Sequence, residues 1–555
     1  MSHSTNKRPA SHPAAEMYAQ EYRDGKLSRR EFLTRSTALG VSAAAAYSLI
    51  GLPQPAAAQT EIAEGGVLRI QQLVKAMKDP MTYDWSELGN QSRGFLEYLA
   101  EYRADGSFVP MLLEGWEANE DASQYTLRVR QGVTWNNGDA FTAEDVARNF
   151  ERWCDGSVEG NAMASRFNGL RDAETEQLRE GAIEIVDSHT LRLNYSEPDI
   201  TLIAQVSDYP AAVVHSSFTG GNPYDNGIGT GPYRPVSIEP GLRAVLERVP
   251  DFEWWGTAVY GGPYVDRIEY IDYGVDPISW LSAAEAGEVN LLYESVGEYI
   301  DLLDSIGWTR SETTTAATVV IRPNHAYEVD GRRPYADERV RRALTMAVDN
   351  AVLLELGYAG LGSVAENHHA CPIHPEYADI GAPAHDPAAA AELMAEAGFG
   401  DFEHELISPD EEWLSNTGNA VAAQLRDAGI PVRRTITPGA TFWQAWATHG
   451  FSTTSWNGRP LAVQNMALAY TSTGSWNETA FASEEFDAAM AEALALADAD
   501  ARREVMVTLE GILQSQGIII QPYWRSLFNH QDGSLVNAEK HPAHEIHVHR
   551  IGFAA

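Results

Sequence analysis

Only two of the 555 residues are cysteine, Cys154 and Cys371, too few for a disulfide framework or a four-cysteine zinc site. Basic residues are scarce as well: 40 Lys and Arg stand against 78 Asp and Glu, a formal net charge of −38. Nucleic-acid binding needs clustered cations that displace counterions, so that class is excluded, and docking on an anionic membrane face is excluded with it. Long hydrophobic runs are missing. The weakly apolar stretch from Thr37 to Leu52 is mostly Ala and falls short of the ~20 residues that span a bilayer. No Ser-, Gly- or Pro-rich linker separates independent modules, and no fixed-period repeat points to a solenoid. Aromatic residues, by contrast, are plentiful: 14 Trp, 23 Tyr and 16 Phe are too many for a solvated, disordered chain. The class left is a large, acidic, globular protein with ample core to fold without disulfides.

The N-terminus carries an address. A polar stretch leads into Ser28-Arg29-Arg30-Glu31-Phe32-Leu33, the Ala-rich run follows, and the small residues up to Ala58 suit a cleavage site after it. These are the three parts of a secretory signal, and the paired arginines before Phe-Leu resemble the twin-arginine export motif, an address read by the Tat machinery rather than an anchor. The residue directly after Ala58 is Gln59 and not Cys, so a lipid-anchored form is not expected. The expectation is a signal over 1–58 and a soluble, periplasmic mature chain. Residues 1–58 hold seven basic and four acidic residues, so the remainder carries −41. Self-repulsion of that size is relieved by screening; the melting temperature is expected to rise with added salt, and a thermal melt showing no rise would refute the idea of adaptation to salty surroundings.

Strand-like and helix-like runs alternate along the chain, the pattern of α/β architecture. Val67–Ile70 and Tyr125–Arg130 read as strands, and Ile183–Val186 with Thr190–Leu193 read as a hairpin turning at Asp187-Ser188-His189. Thr142-Ala143-Glu144-Asp145 is a capping box ahead of Val146 and Phe150 at helical spacing. Asp337 is placed to cap a helix with the apolar face Val340, Ala343, Leu344, Ala347 and Val348, and a second amphipathic helix over 388–397 stops at Gly398.

Several segments together resemble one family, the large periplasmic solute-binding proteins of peptide-type ABC importers (bacterial solute-binding family 5). Val109-Pro110-Met111-Leu112-Leu113-Glu114-Gly115-Trp116-Glu117 is similar to the family's "P-x-L-A-x-S-W-E". Tyr125 to Gly138 is similar to its "F-x-L-R-x-G-V-x-F-H-D-G" hairpin, and Phe141 to Val146 to its "L-T-A-E-D-V" helix start. Gly229-Thr230-Gly231-Pro232-Tyr233, Pro263 to Ile268 and Val340 to Leu344 follow in the family's order. The resemblance implies a two-lobed periplasmic binding protein of the type II, large peptide-binding class, with an extra subdomain in lobe I. It implies lobe I over 59–313 with the inserted subdomain near 100–225, lobe II over 314–519, and a return to lobe I over 520–555. Two crossing strands form the hinge. It further implies a monomer that closes on a peptide or small-molecule ligand, partners an inner-membrane ABC permease and ATPase, needs no cofactor and is not an enzyme. Members of the family bind peptides, nickel complexes, haem, opines or oligosaccharides.

In peptide-binding members, an Asp shortly after a "G-W" pair in lobe II takes the ligand's α-amino group. Here the corresponding stretch is Ser455-Trp456-Asn457-Gly458-Arg459-Pro460, with Arg459 where the Asp would fall. A guanidinium cannot pair with an ammonium but forks well onto a carboxylate, so Arg459 is expected to bind an anionic group of the solute; the competing reading pairs it with a neighbouring acid. Trp456 and Asn457 belong to the same stretch. In Gly474-Ser475-Trp476-Asn477-Glu478, Trp476 is a candidate for stacking on a ligand, Asn477 for donating and accepting, and Glu478 for taking a cation, against core packing for the tryptophan. Arg459 with Glu478 would suit a zwitterion. Tyr83 and Gln91 lie where the family's first strand-loop meets the ligand.

Four histidines crowd the tail, His541, His544, His547 and His549, and His368 and His369 lie near Cys371 and His374. A nickel or zinc site is one reading of each group; a solvated terminal strand is the other for the tail. Metal-chelate uptake is therefore the alternative within the transport class. Cys154 and Cys371 fall in different expected lobes, where a bond would hinder closure, so free thiols are expected. A secreted hydrolase finds little support: there is no G-x-S-x-G, and His544-Glu545-Ile546-His547 is one residue short of H-E-x-x-H. Gly227 to Gly231 lacks the Lys-Ser/Thr of a phosphate loop.

Overall fold

The computed structural model describes residues 13–52, 61–119, 122–496 and 499–555. Two antiparallel strands, Thr309–Pro323 and Tyr523–Gln531, occupy the middle of one eleven-stranded sheet. On one side the sheet continues through Leu291–Leu292, Val67–Gln71, Arg267–Ile271, Arg243–Arg248 and Tyr233–Glu239; on the other it continues through Phe451–Trp456, His404–Pro409 and Val432–Thr437, and the short strand Gly362–Val364 pairs with the start of Tyr523–Gln531 as the eleventh. The parallel pair His404–Pro409 and Val432–Thr437 is joined by the helix Glu412–Asp427, as a parallel pair requires. Cys154 and Cys371 are free and buried, and burial pushes both thiols up to about 12.

The strand Thr309–Pro323 changes partners along its length. Thr309 to Thr314 pair with Ser526 to Gln531, the register breaks before Thr318, and Thr318 to Pro323 pair with Phe451–Trp456. At the break the Thr315 hydroxyl donates to the Arg525 carbonyl (2.7 Å) and accepts from the Ala317 amide (2.9 Å). A side chain therefore does the work of the ladder where the chain passes from one half of the sheet to the other. Within 100–225, a separate four-stranded antiparallel sheet is formed by Leu113–Ala118, Gln124–Val129, Thr190–Asn194 and Ile183–Asp187.

Local signals translate directly into elements. The Thr142 amide donates to Asp145 at the start of helix Ala143–Trp153 (2.9 Å), and Asp337 accepts from the Arg339 amide to start Glu338–Met346 (2.9 Å). Helix Pro387–Glu396 ends just before Gly398, whose φ of 78° is the left-handed stop that glycine takes without strain.

The segment expected to be removed on export is itself packed on the body. Helices Pro13–Arg23, Arg29–Ala38 and Ala43–Leu49 share a small core that includes Tyr18, Phe32, Leu33 and Tyr47. Thr37 accepts from the Phe108 amide through its hydroxyl (2.8 Å) and from the Trp116 indole through its carbonyl (3.1 Å). Arg30 donates to the Tyr102 hydroxyl (2.9 Å) and the Thr314 carbonyl (3.2 Å), and Arg35 pairs with Glu21 (3.2 Å). The position after Ala58 lies outside the described residues. No helix among the described residues is long and apolar enough to cross a membrane.

Candidate functional site

A cavity lies between the two halves of the sheet. The half before residue 313 contributes Lys75, Trp85, Glu87, Tyr209, Trp280 and Tyr293, and the other half contributes Glu411, Trp413, Trp443, Trp446, Trp456 and Arg459, with Trp476 and Arg525 beside them. His544 closes one wall from the C-terminal segment. Seven of the 14 tryptophans therefore line one cavity, an apolar surface into which few polar groups converge, as small-molecule sites are built.

Arg459 is positioned by several independent devices. It follows strand Phe451–Trp456 after Gly458, where a Cβ would meet the backbone of Ala316 and Ala317 at 2.8–3.0 Å, so only glycine lets the loop cross the central strand. Its carbonyl accepts from His374 Nε2 (3.1 Å), its Nη1 donates to Asn465 (2.7 Å), and its Nε donates to Asp208 (2.9 Å). The guanidinium lies 5.2 Å from the Trp476 ring and 5.8 Å from the Tyr209 ring. The side chain is 4% exposed with the Tyr209 hydroxyl beside it, yet among the described residues Nη2 has no hydrogen-bond partner of normal geometry.

Asp208 does not neutralise this end of the cavity. Arg166 also donates to it, at 2.7 Å, so two guanidiniums share one carboxylate. Burial disfavours ionisation of Asp208, but Arg459 and Arg166 outweigh it and hold the carboxyl below its ordinary range. One desolvated positive charge is left over beside an unpaired N–H, a pattern that complements an anion.

The other expected residues divide into two groups. Trp456, Asn457 and Trp476 line the cavity with Arg459. The Asn457 side-chain amide donates to the Ser86 hydroxyl across the cavity (3.2 Å), and Trp476 stacks on Tyr209 at 6.4 Å and 16°. Tyr83, Gln91, Asn477 and Glu478 do not line it. Tyr83 is fully buried with its hydroxyl near Ser92. Gln91 clamps the backbone of Lys75, accepting from its amide (3.1 Å) and donating to its carbonyl (3.2 Å), so it reaches the cavity only through that residue. Asn477 braces its own loop through the Thr471 and Phe481 carbonyls. Glu478 is 2% exposed and committed to Arg322 (2.8 Å), Thr454 (2.8 Å) and the Trp456 indole (2.7 Å). The expected pairing of Arg459 with Glu478 around a zwitterion is therefore not what the geometry brings together.

Sequence reasoning missed Trp85, Trp443, Trp446 and Glu411, and singled out His544 only as a candidate metal ligand, not as a cavity residue. The Trp443-Gln444-Ala445-Trp446 stretch is visible only as composition, because nothing local says which tryptophans share a wall. His544 Nδ1 faces the Lys540 ammonium (3.1 Å), a group that can only donate, so the ring proton sits on Nε2. That Nε2 is buried without a partner among the described residues. Burial, Lys540 and Arg525 push the ring's pKa well below the usual histidine range, so it is a neutral donor.

The tail histidines are neither a strand nor solvated. His541, Glu545 and His547 place ligand-type atoms within 4.8 Å of one another, but their lone pairs are already used. His541 Nδ1 accepts from the Ala543 amide (3.2 Å) and its Nε2 faces the Tyr102 carbonyl (3.0 Å). His547 Nδ1 faces Arg550 (2.6 Å) and its Nε2 faces Glu545 (2.6 Å), which also pairs with Arg93 (3.1 Å). Such a set locks the C-terminal segment in place and does not fit a divalent cation without being dismantled. Near Cys371, His374 is likewise spent on the Cys371 amide (2.8 Å) and on Arg459.

Comparisons with known proteins agree with the geometry. A family model described as "Bacterial extracellular solute-binding proteins, family 5 Middle" matches residues 107–478. Heme-binding protein A of Haemophilus influenzae is 24% identical over 450 residues, covering 75% of this chain and 79% of that protein. The periplasmic oligopeptide-binding protein OppA of Escherichia coli is 24% identical over 486 residues, 80% and 84% of the two chains. Among solved structures, Haemophilus influenzae OppA in complex with RPPGFSPFR aligns with a TM-score of 0.78 at 18% identity, over 89% of this chain and all of that one. The periplasmic binding protein AgaA of A. tumefaciens R10, in complex with agropinic acid, aligns with a TM-score of 0.76 at 18% identity, over 88% and 99%. The fold is thus that of the two-lobed periplasmic binding proteins.

Proposed function

This chain belongs to the bacterial extracellular solute-binding proteins of family 5, and on that premise we propose that it captures a small, carboxylate-bearing peptide or peptide-like solute between its lobes and delivers it to an ABC permease. The observation that carries the reading is the buried Nη2 of Arg459 on the cavity wall, unpartnered among the described residues. Arg459 takes the solute carboxylate, His544 Nε2 donates a second hydrogen bond, Trp456 and Trp476 pack on the apolar part, and Asn457 joins the opposite lobe through Ser86. An opine-type solute, rich in carboxylates, meets the same donors. Binding draws the lobes together because the ligand contacts both and favours the closed form. The reading is of a monomeric binding protein in the periplasm, not an enzyme and not lipid-anchored, exported by the Tat route with residues 1–58 removed; Arg29-Arg30 supports that address.

One experiment addresses both halves of the reading. Protein recovered from the periplasm is expected to have a mass that begins at Gln59 and to release, on denaturation, a small molecule with at least one carboxylate. Mass spectrometry reads both. Adding that solute back at 100 times its dissociation constant is expected to stabilise the protein by about 2.7 kcal/mol. A released solute with no acidic group would overturn the assignment of Arg459.

A further inference from the structure

A continuous row of rings leads away from Arg459. Its guanidinium rests on Trp476; Trp476 meets Trp456 at 5.8 Å, Trp456 meets Trp446 at 6.5 Å, Trp446 meets Trp85 at 6.3 Å, and Trp85 meets Trp443 at 4.6 Å. All five tryptophans line the cavity. At the far end, the Trp443 indole donates to Glu411 (2.8 Å), the residue that precedes helix Glu412–Asp427. Glu411 has no ion-pair partner among the described residues; Glu412 beside it and Glu87, facing it from the other half, also line the cavity without one. Two cations line the cavity nearby among the described residues: Arg525, 3.8 Å over the Trp413 ring, is spent on Glu294, which leaves Lys75, held 4.4 Å over the Trp85 ring. Three carboxylates against one ammonium leave this end negative, whereas the Arg459 end is left positive by the shared Asp208. Burial, with Glu87 and Asp410 adding to it, raises the Glu411 carboxyl to about 7 despite the Trp443 hydrogen bond and Lys75.

Aromatic faces beside a half-buried carboxylate are what a cationic nitrogen seeks, because the ring quadrupole and the carboxylate attract it together. We propose that Glu411 with Trp85, Trp443 and Trp446 forms a subsite for a cationic nitrogen of the solute, which is then a zwitterion with its carboxylate at Arg459 and its positive group at the far end of the tryptophan row. This rests on the reading of Arg459 as the carboxylate anchor. It also supplies the acid that Glu478, spent on Arg322, does not.

The test uses two matched series of probes: ω-trimethylammonio carboxylates of increasing methylene number, and their neutral isosteres in which a tert-butyl group replaces the trimethylammonium. Calorimetric titration of the whole protein is expected to show, at the best-fitting length, at least about tenfold tighter binding of the cationic member. Glu411→Gln, a near-isosteric change, is expected to erase that preference, and Trp443→Leu to reduce it, with circular dichroism confirming that both variants fold. Equal or tighter binding of the neutral isostere at every length, no binding of any cationic member up to about 10 mM, or a preference that survives Glu411→Gln each overturn the proposal. Arg459→Ala separates the two readings. Neutral probes that bind through Arg459 without a cation preference leave the carboxylate anchor standing and remove this subsite. A cation preference with both series indifferent to Arg459→Ala does the reverse.

Discussion

Replacing Arg459 with alanine is expected to weaken binding of the carboxylate-bearing solute by roughly 10- to 150-fold, the worth of one charge-assisted hydrogen bond. Stability of the unliganded protein should change much less. Asp208 keeps Arg166 at 2.7 Å when Arg459 is removed, so no buried carboxylate is left bare. The competing account makes Arg459 only a latch between lobes, through Asp208 and the Trp476–Tyr209 stack. A latch would weaken every ligand alike. An anchor discriminates, so a solute and its amide analogue form the decisive pair. The wild type should prefer the carboxylate, Arg459→Ala should lose the preference, and Arg459→Lys should keep part of it, since lysine retains the charge without the planar fork. Calorimetry that gave Arg459→Ala the wild-type affinity for the carboxylate would end the anchor reading.

The α/β class and most of the individual elements were legible because local rules set them. The Thr142 and Asp337 helix starts, the 183–194 hairpin and the Gly398 stop depend on residues within a few positions of each other. The site was legible in part for a similar reason: Arg459, Asn457 and Trp456 leave the end of one strand together, so one motif finds all three. What stayed hidden depends on distant partners. Asp208 meets Arg459 across 251 positions of chain, and Trp85 meets Trp443 from the opposite half of the sheet. Glu411 is one acid among 78, and no local pattern separates it from the rest. The tail histidines misled for the opposite reason. Close spacing in sequence read as a ligand set or an open strand, whereas Tyr102, Glu101 and Arg93, from far upstream, pack against that segment and pair with His541, His549 and Glu545. The packing of residues 13–52 on Phe108 and Trp116 is another long-range match that the short Ala-rich run did not announce.

Glu478 separates a core role from a ligand role most sharply. Its carboxylate accepts from Arg322 Nε, the Thr454 hydroxyl and the Trp456 indole, and the Arg322 side chain is 0% exposed. Arg322 donates further to the carbonyls of His449 (2.6 Å) and Trp446. It therefore ties strand Thr309–Pro323 to the segment that carries two cavity tryptophans. Removing the carboxylate leaves a fully buried guanidinium without a counter-charge, which costs about 3–5 kcal/mol. Glu478→Ala is accordingly expected to lower stability by that amount in denaturant titration, a loss on the scale of a single domain's whole margin. Glu478→Gln should recover little, because one neutral oxygen and an amide replace an acceptor-only group facing a cation and two other donors. Ligand affinity in the folded fraction should fall only as far as Trp446 and Trp456 shift. If Glu478→Ala instead kept wild-type stability and lost binding outright, Glu478 would be a ligand residue after all, and the cationic group would have to be sought beside Arg322 rather than at Glu411.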